Sequence, residues 1–143
     1  MSTTETNTAV VQRFLADVVN GGQTEPIDEL FTTDYVMHGG SLGDYAGLDA
    51  YKEFLAANGA GAFTNMHLEI TQIIASGDEV FVLFTNSGEN TGDFMGMPAT
   101  GKKAKWNGTV LYRLEDGKIA ESTYVEDIFH LLLQLGITQI PSV

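Results

Sequence analysis

The stretch from Trp106 to Gly136, WNGTVLYRLEDGKIAESTYVEDIFHLLLQLG, decides how this chain folds. Asp116-Gly117 separates two runs rich in strand formers, Trp106 to Leu114 and Lys118 to Val125, and Asp-Gly between such runs specifies a two-residue hairpin loop. Counting back from that turn sets the register. Glu115 faces Lys118, Arg113 faces Ala120, Tyr112 faces Glu121, Val110 faces Thr123, Gly108 faces Val125 and Trp106 faces Asp127. Residues directly opposite share a face, so one side carries Trp106, Gly108, Val110, Tyr112, Glu121, Thr123, Val125 and Asp127. This side is the more apolar and is expected to look inward, with Gly108 leaving room beside the indole for a ligand. The strand then runs through Asp127 into a helix with Ile128, Leu131, Leu132 and Leu135 at helical spacing. A single carboxylate, Asp127, is therefore expected where the sheet face meets a helix N-terminus.

Composition narrows the classes of function. At 143 residues the chain fits one domain, residues 1–143, and its 43% hydrophobic content suits a folded globular protein. Seven Lys and Arg against 19 Asp and Glu give a formal net charge of −12. That charge repels nucleic acid and anionic membranes, so neither is an expected partner. Cysteine is absent, which excludes disulfides and thiolate chemistry. The N-terminus MSTTETNTA has neither the basic start nor the apolar core of a secretory signal, and no apolar run approaches membrane-spanning length. The expected location is the cytoplasm.

Upstream, Val10, Val11, Phe14, Leu15 and Val18 mark a first helix that stops at Asn20-Gly21-Gly22. Pro26 opens a short second helix to Leu30, and Tyr35 to His38 reads as a brief strand. A third helix runs from Leu48 to about Ala57, with Leu48, Tyr51, Phe54 and Leu55 on its apolar side and a loop after it. Met66 to Ala75 alternates as a strand with one wet face, and Val80 to Thr85, apolar on both faces, reads as a central strand. Asn86 to Lys103 is a long connection holding Phe94, Met95 and Met97, the kind of segment that acts as a lid. Helices first and a curved antiparallel sheet afterwards predict an α+β cone, its sheet covered by the early helices.

These residues resemble a known family. Glu121 to Gly136 looks like the ExWxxxDxxxLLxQLG ending of SnoaL-like polyketide cyclases, with Glu121, Asp127, Leu131, Leu132, Gln134, Leu135 and Gly136 in the matching places. Thr91 to Lys102, TGDFMGMPATGK, is similar to the family's TGEFxGxPPTGK segment, and Ile74-Ala75-Ser76-Gly77-Asp78-Glu79-Val80 to its IxxxGDxV strand start. The resemblance implies the cone fold shared with nuclear transport factor 2 and ketosteroid isomerase, an acid/base role for Asp127, and a homodimer. Two positions depart from it. Thr123 stands where the family has Trp, and Asn90, in GENTG, where many members have His.

The candidate chemistry follows from both readings. Asp127 is a general base with Trp106 as its apolar wall, or simply the N-cap of the last helix. His38, before a glycine pair, is the second catalytic candidate, with a structural hydrogen bonder as its rival reading. Trp106, Tyr51, Phe54, Phe94, Met97, Tyr112 and Thr123 are expected to line a pocket for a small apolar ligand. Glu121 is expected to bond the Tyr112 phenol, and Arg113 to lie on the opposite sheet face. His38, His67 and His130 lack metal-ligand spacing, and no phosphate-binding or dinucleotide motif is present, so neither metal nor cofactor is expected. The expected function is a cofactor-free cyclase or isomerase acting on a small, polyketide-like carbonyl compound. A non-catalytic ligand-binding domain on the same cone is the alternative.

Overall fold

Helices interleave with two short strands in the first part of the chain, four longer strands of alternating burial follow, and a short helix closes the described residues. The computed structural model describes residues 3–59 and 61–137. The ends of the expected 1–143 domain, and Ala60 in the loop expected after the third helix, lie outside the described residues. Helix α1 (Thr3–Arg13) continues through wider π-helical turns at Phe14–Asn20, then come α2 (Ile27–Leu30), β1 (Phe31–His38), β2 (Asp44–Ala46) and α3 (Leu48–Gly59). Next are β3 (Phe63–Ser76), β4 (Glu79–Asn90), β5 (Lys103–Glu115), β6 (Lys118–Glu126) and α4 (Ile128–Gln134). The strands form one curved, unclosed sheet in the order β2-β1-β6-β5-β4-β3, antiparallel except where β1 runs parallel to β6. The expected α+β cone is therefore present. No described helix is long and apolar enough to cross a membrane.

Several elements, helix α1 and strand β4 among them, are longer than the sequence suggests. Helix α1 begins at Thr3 rather than Thr8, and β4 continues past Thr85 to Asn90. The second extension has a clear cause. Val80, Val82, Phe84, Asn86 and Asn90 are all buried and lie on alternate positions of one face, so the polar end of β4 keeps its strand parity. The first helix is pinned to the sheet at its end, where Asn20 Nδ2 donates to Leu68 O at 2.8 Å and Leu68 N donates to Asn20 Oδ1 at 2.7 Å.

The hairpin contains the principal correction. Asp116 and Gly117 have φ of 50° and 77°, the left-handed pair that a two-residue type I′ turn needs, and Glu115 pairs with Lys118 as expected. Leu114 pairs with Ile119, but Arg113 then pairs with Glu121, so Ala120 is an extra residue in β6. This bulge buries the adjacent apolar Ile119 and Ala120 together, which strict alternation forbids. Every β6 residue beyond it changes face. Ser122, Tyr124 and Glu126 lie opposite Tyr112, Val110 and Gly108, whereas Thr123, Val125 and Asp127 point outward.

Inward side chains gather into two clusters. The larger contains Phe14, Phe31, Tyr35, Tyr51 and Tyr112 under α1 and α3. The smaller joins Phe63, Phe94 and Trp106 to Ile128, Leu131 and Leu135 of α4. The two clusters do not fuse, and a cavity lies between them, lined by residues of both.

Candidate functional site

The cavity measures about 700 Å³. Leu15, Val18, Tyr51 and Phe54 line it from the helices, Leu68, Phe84, Trp106 and Tyr124 from the sheet, and Phe94 and Ile128 from the β4–β5 loop and α4. Exposed residues of the turn before α2, with Asp28 and Lys52, mark its rim, and Lys52 Nζ is ion-paired to Asp28 at 2.6 Å. The walls are mostly hydrocarbon, so polar groups within them stand out.

Glu126 is the carboxylate on this wall. Its Oε1 accepts hydrogen bonds from Trp106 Nε1 at 3.0 Å and from Asn86 Nδ2 at 3.1 Å. Among the described residues Oε2 accepts none. Burial raises its pKa above the ordinary glutamate value, while the Trp106 and Asn86 hydrogen bonds pull the other way. Gly108 makes the placement possible. A Cβ there would stand 2.5 Å from Phe84 Cζ and 2.8 Å from Glu126 Cγ, so the space expected for a ligand is filled by protein.

Phenols lie behind the carboxylate. Tyr112 and Tyr124 share a hydrogen bond of 3.2 Å, Tyr51 also interacts with Tyr124, and Tyr35 donates to Ser122 Oγ at 2.8 Å. Burial raises the pKa of all four, so each remains a neutral donor at ordinary pH. Only Tyr51 and Tyr124 of this group reach the cavity wall.

The remaining expected site residues divide by this wall. Trp106, Tyr51, Phe54 and Phe94 line the cavity. Met97 packs against the smaller cluster without lining it, and Tyr112 is fully buried behind Tyr124. Thr123 is exposed on the outer sheet face, because of the Ala120 bulge. Asp127 is also exposed, and its Oδ1 accepts from His130 N at 3.1 Å, which makes it the cap of α4. His38 faces the outer side too, 40% exposed, with Nε2 2.7 Å from Glu121 Oε2. Glu121 does not reach Tyr112 but accepts from Arg113 Nε at 3.1 Å, and His38 and Arg113 together hold its pKa down. Among the described residues no group of three or more His, Asp or Glu side chains is placed to hold a metal ion.

The outward position of Asp127 gives a simple expectation. Asp127→Ala should cost about 1 kcal/mol of stability, the usual value of an N-cap. Urea denaturation measures it. The lining of the cavity should be unaffected.

Among the wall residues that escaped the sequence reading are Glu126, Tyr124 and Asn86. The parity of β4 was the available signal for Asn86, since it follows Val80, Val82 and Phe84 onto the same face. Asn90 holds the loop between β4 and β5. Its Nδ2 donates to Ala62 O and Gly92 O, and its Oδ1 accepts from Thr100 N and Oγ1, all within 3.0 Å. The tip of this loop is itself a tight turn, with Met95 and Gly96 at φ of 50° and 77° between paired Phe94 and Met97.

Comparison with known proteins gives a consistent picture. The model of the SnoaL-like polyketide cyclase family matches residues 9–135. No curated protein sequence matches. Among solved structures, AclR, a proposed hydroxylase from Streptomyces galilaeus, is 26% identical, with a TM-score of 0.80 over 98% of this chain and 87% of its own. IdmH, a proposed polyketide cyclase from Streptomyces antibioticus, is 25% identical, with a TM-score of 0.79 over 91% of this chain and 98% of its own. A Catenulispora acidiphila protein with a ketosteroid isomerase-like fold, in complex with trimethylamine, is 20% identical, with a TM-score of 0.74 over 92% and 97%. That last likeness concerns fold alone.

Proposed function

Because the chain belongs to the SnoaL-like polyketide cyclase family, we propose that it is a cofactor-free cyclase or isomerase acting on a neutral, largely apolar carbonyl compound, with Glu126 as general base. The observation that carries this reading is the Glu126 carboxylate on the wall of an apolar cavity, held by Trp106 and Asn86 through one oxygen only. The raised pKa makes the ionised form a stronger base than an ordinary surface glutamate.

The reaction follows from these groups. Oε2 takes a proton from the carbon next to the carbonyl, and the electron pair of that C–H bond moves to the carbonyl oxygen. Tyr124, with Tyr51 beside it, donates a hydrogen bond to the resulting enolate oxygen. Return of the proton to a different carbon completes an isomerisation. Attack of the enolate carbon on a second carbonyl of the same molecule closes a ring, and the new alkoxide takes up the proton. The apolar walls keep water from quenching the enolate.

The test uses 2-tetralone, an apolar ketone small enough for the cavity. Loss of its α-proton signals in D₂O, followed by NMR, should be faster with the protein than in buffer alone. A ligand bound without any exchange would instead favour a non-catalytic binding domain.

A second copy of the chain completes the proposed assembly. The outer sheet face presents Val125, 69% exposed, and Leu111, 40% exposed, beside Thr123. Light scattering at micromolar concentration should give the mass of a dimer, and Val125→Asp should reduce it to that of a monomer.

A further inference from the structure

Glu126 is a carboxylate without a counterion. Among the described residues no Lys, Arg or His side chain pairs with it, and its hydrogen bonds come from two neutral donors, Trp106 Nε1 and Asn86 Nδ2, both on Oε1. Carboxylates taken out of water are normally paired with a cation. The approach to the cavity favours one. Its rim carries Glu25 and Asp28, and the rim's Lys52 is already neutralised by Asp28 at 2.6 Å. With a net charge of −12 on the chain, the potential at the mouth is negative and draws cations towards it.

The walls around Glu126 suit a cation as well. Phe84 and Glu126 converge over Gly108, where an added Cβ would stand 2.5 Å from Phe84 Cζ and 2.8 Å from Glu126 Cγ. The Trp106 indole reaches the same carboxylate through its Nε1. Phe63 comes next, its ring centre 5.4 Å from that of Trp106 and 5.2 Å from that of Phe94. All four rings border the cavity. Aromatic rings attract organic cations at their faces, the indole most strongly, and the attraction grows where water is excluded.

We propose that the cavity is also a site for apolar ammonium ions, with Glu126 as the counterion and the Trp106, Phe84 and Phe63 rings around the charge. The ligand class is a protonated primary amine on a hydrocarbon skeleton that fits within about 700 Å³. Such binding goes beyond the reaction proposed above, since it needs Glu126 on the wall but not its action as a base. The ammonium donates to Oε2, the oxygen that Trp106 and Asn86 leave open. Folding has already removed the carboxylate from much of its water, so the bound cation adds its own desolvation and relieves that of Glu126. With Oε2 occupied in this way, no carbon acid can reach it. Amines of this class therefore compete with neutral ketones for the cavity.

Isothermal titration at about pH 7 with 2-aminotetralin and 2-tetralol tests this. The two probes share a skeleton and both donate hydrogen bonds, but only the amine is charged at that pH. The wild-type protein should bind the amine at least about tenfold tighter, the least that one close charge pair adds. Glu126→Gln keeps the shape and removes the charge, so it should abolish the preference. Asp28→Asn should retain it, because the pairing lies inside the cavity and not at the rim. A second readout needs no variant and serves if the glutamine protein does not fold. The ¹³C titration midpoint of the Glu126 carboxyl should fall when the amine saturates the cavity and stay in place with the alcohol. Equal binding of the probes by the wild type, or binding of neither, would overturn the inference. So would a preference that survives Glu126→Gln or disappears with Asp28→Asn, which would put the cation at the rim, or a midpoint that the amine leaves unmoved. Exchange of 2-tetralone involves no cation, so its failure counts against the base and not against this site.

Discussion

Glu126→Gln is expected to lower the protein-catalysed exchange of 2-tetralone protons by about 100- to 10,000-fold, the usual contribution of a positioned general base. The substitution changes little else. Glutamine has the same shape and keeps an oxygen to accept from Trp106 Nε1 and Asn86 Nδ2, so the wall geometry at 3.0 and 3.1 Å is retained. What it removes is the ionisable oxygen that takes the proton. Asp127→Ala provides the contrast, because Asp127 is exposed and capping α4. It should leave exchange within about twofold, since an exposed cap makes no contact with a cavity-bound ketone. Rates that fall with Asp127→Ala and not with Glu126→Gln would return the base to Asp127.

Tyr124→Phe is expected to lower the same rate by about 100-fold, at the lower end of what loss of one oxyanion donor costs, because Tyr51 remains on the wall. The Tyr124 phenol is paired with Tyr112 at 3.2 Å, and burial keeps it protonated. When Tyr112 donates to Tyr124, the Tyr124 proton is available to an enolate oxygen. Removing the hydroxyl leaves the buried Tyr112 phenol without its partner and should also cost about 1–3 kcal/mol of stability. Exchange measured with 2-tetralone at saturation separates the two effects, since a destabilised but folded variant retains its rate. A variant with full rate would remove Tyr124 from the reaction.

Much of this arrangement was legible in the residues. The Asp116-Gly117 turn, the helical spacing through Leu135, and the inward parity of Trp106, Gly108, Val110 and Tyr112 all stand as read. The face of β6 did not. Its inversion depends on a single extra residue, Ala120, and adjacent apolar residues such as Ile119-Ala120 permit a bulge without requiring one. Pairing on both sides decides the matter, since β6 lies between β5 and the parallel β1, whose own register also shifts between Phe31 and Val36. That competition is not local and leaves no mark in a single strand.

The two rival readings of Asp127 nevertheless contained the answer. A residue that turns its side chain back to cap α4 cannot also project into the sheet interior, and its neighbour Glu126 then faces the other way. The strand geometry puts the half-buried carboxylate of Glu126, one residue earlier, on the cavity wall.

Glu126 also ties stability to pH. A carboxyl whose folded pKa lies above its ordinary value of 4.5 holds its proton more tightly in the folded state. Its contribution therefore favours folding below pH 4.5 and is lost as pH rises from there through the folded value. Glu126→Gln does not titrate, so the wild type should lose stability relative to it over that window. The most direct measurement is the titration itself, by ¹³C NMR of the Glu126 carboxyl carbon in the wild-type protein. A midpoint above 4.5 is predicted, and a midpoint at or below 4.5 would contradict a buried base on the cavity wall.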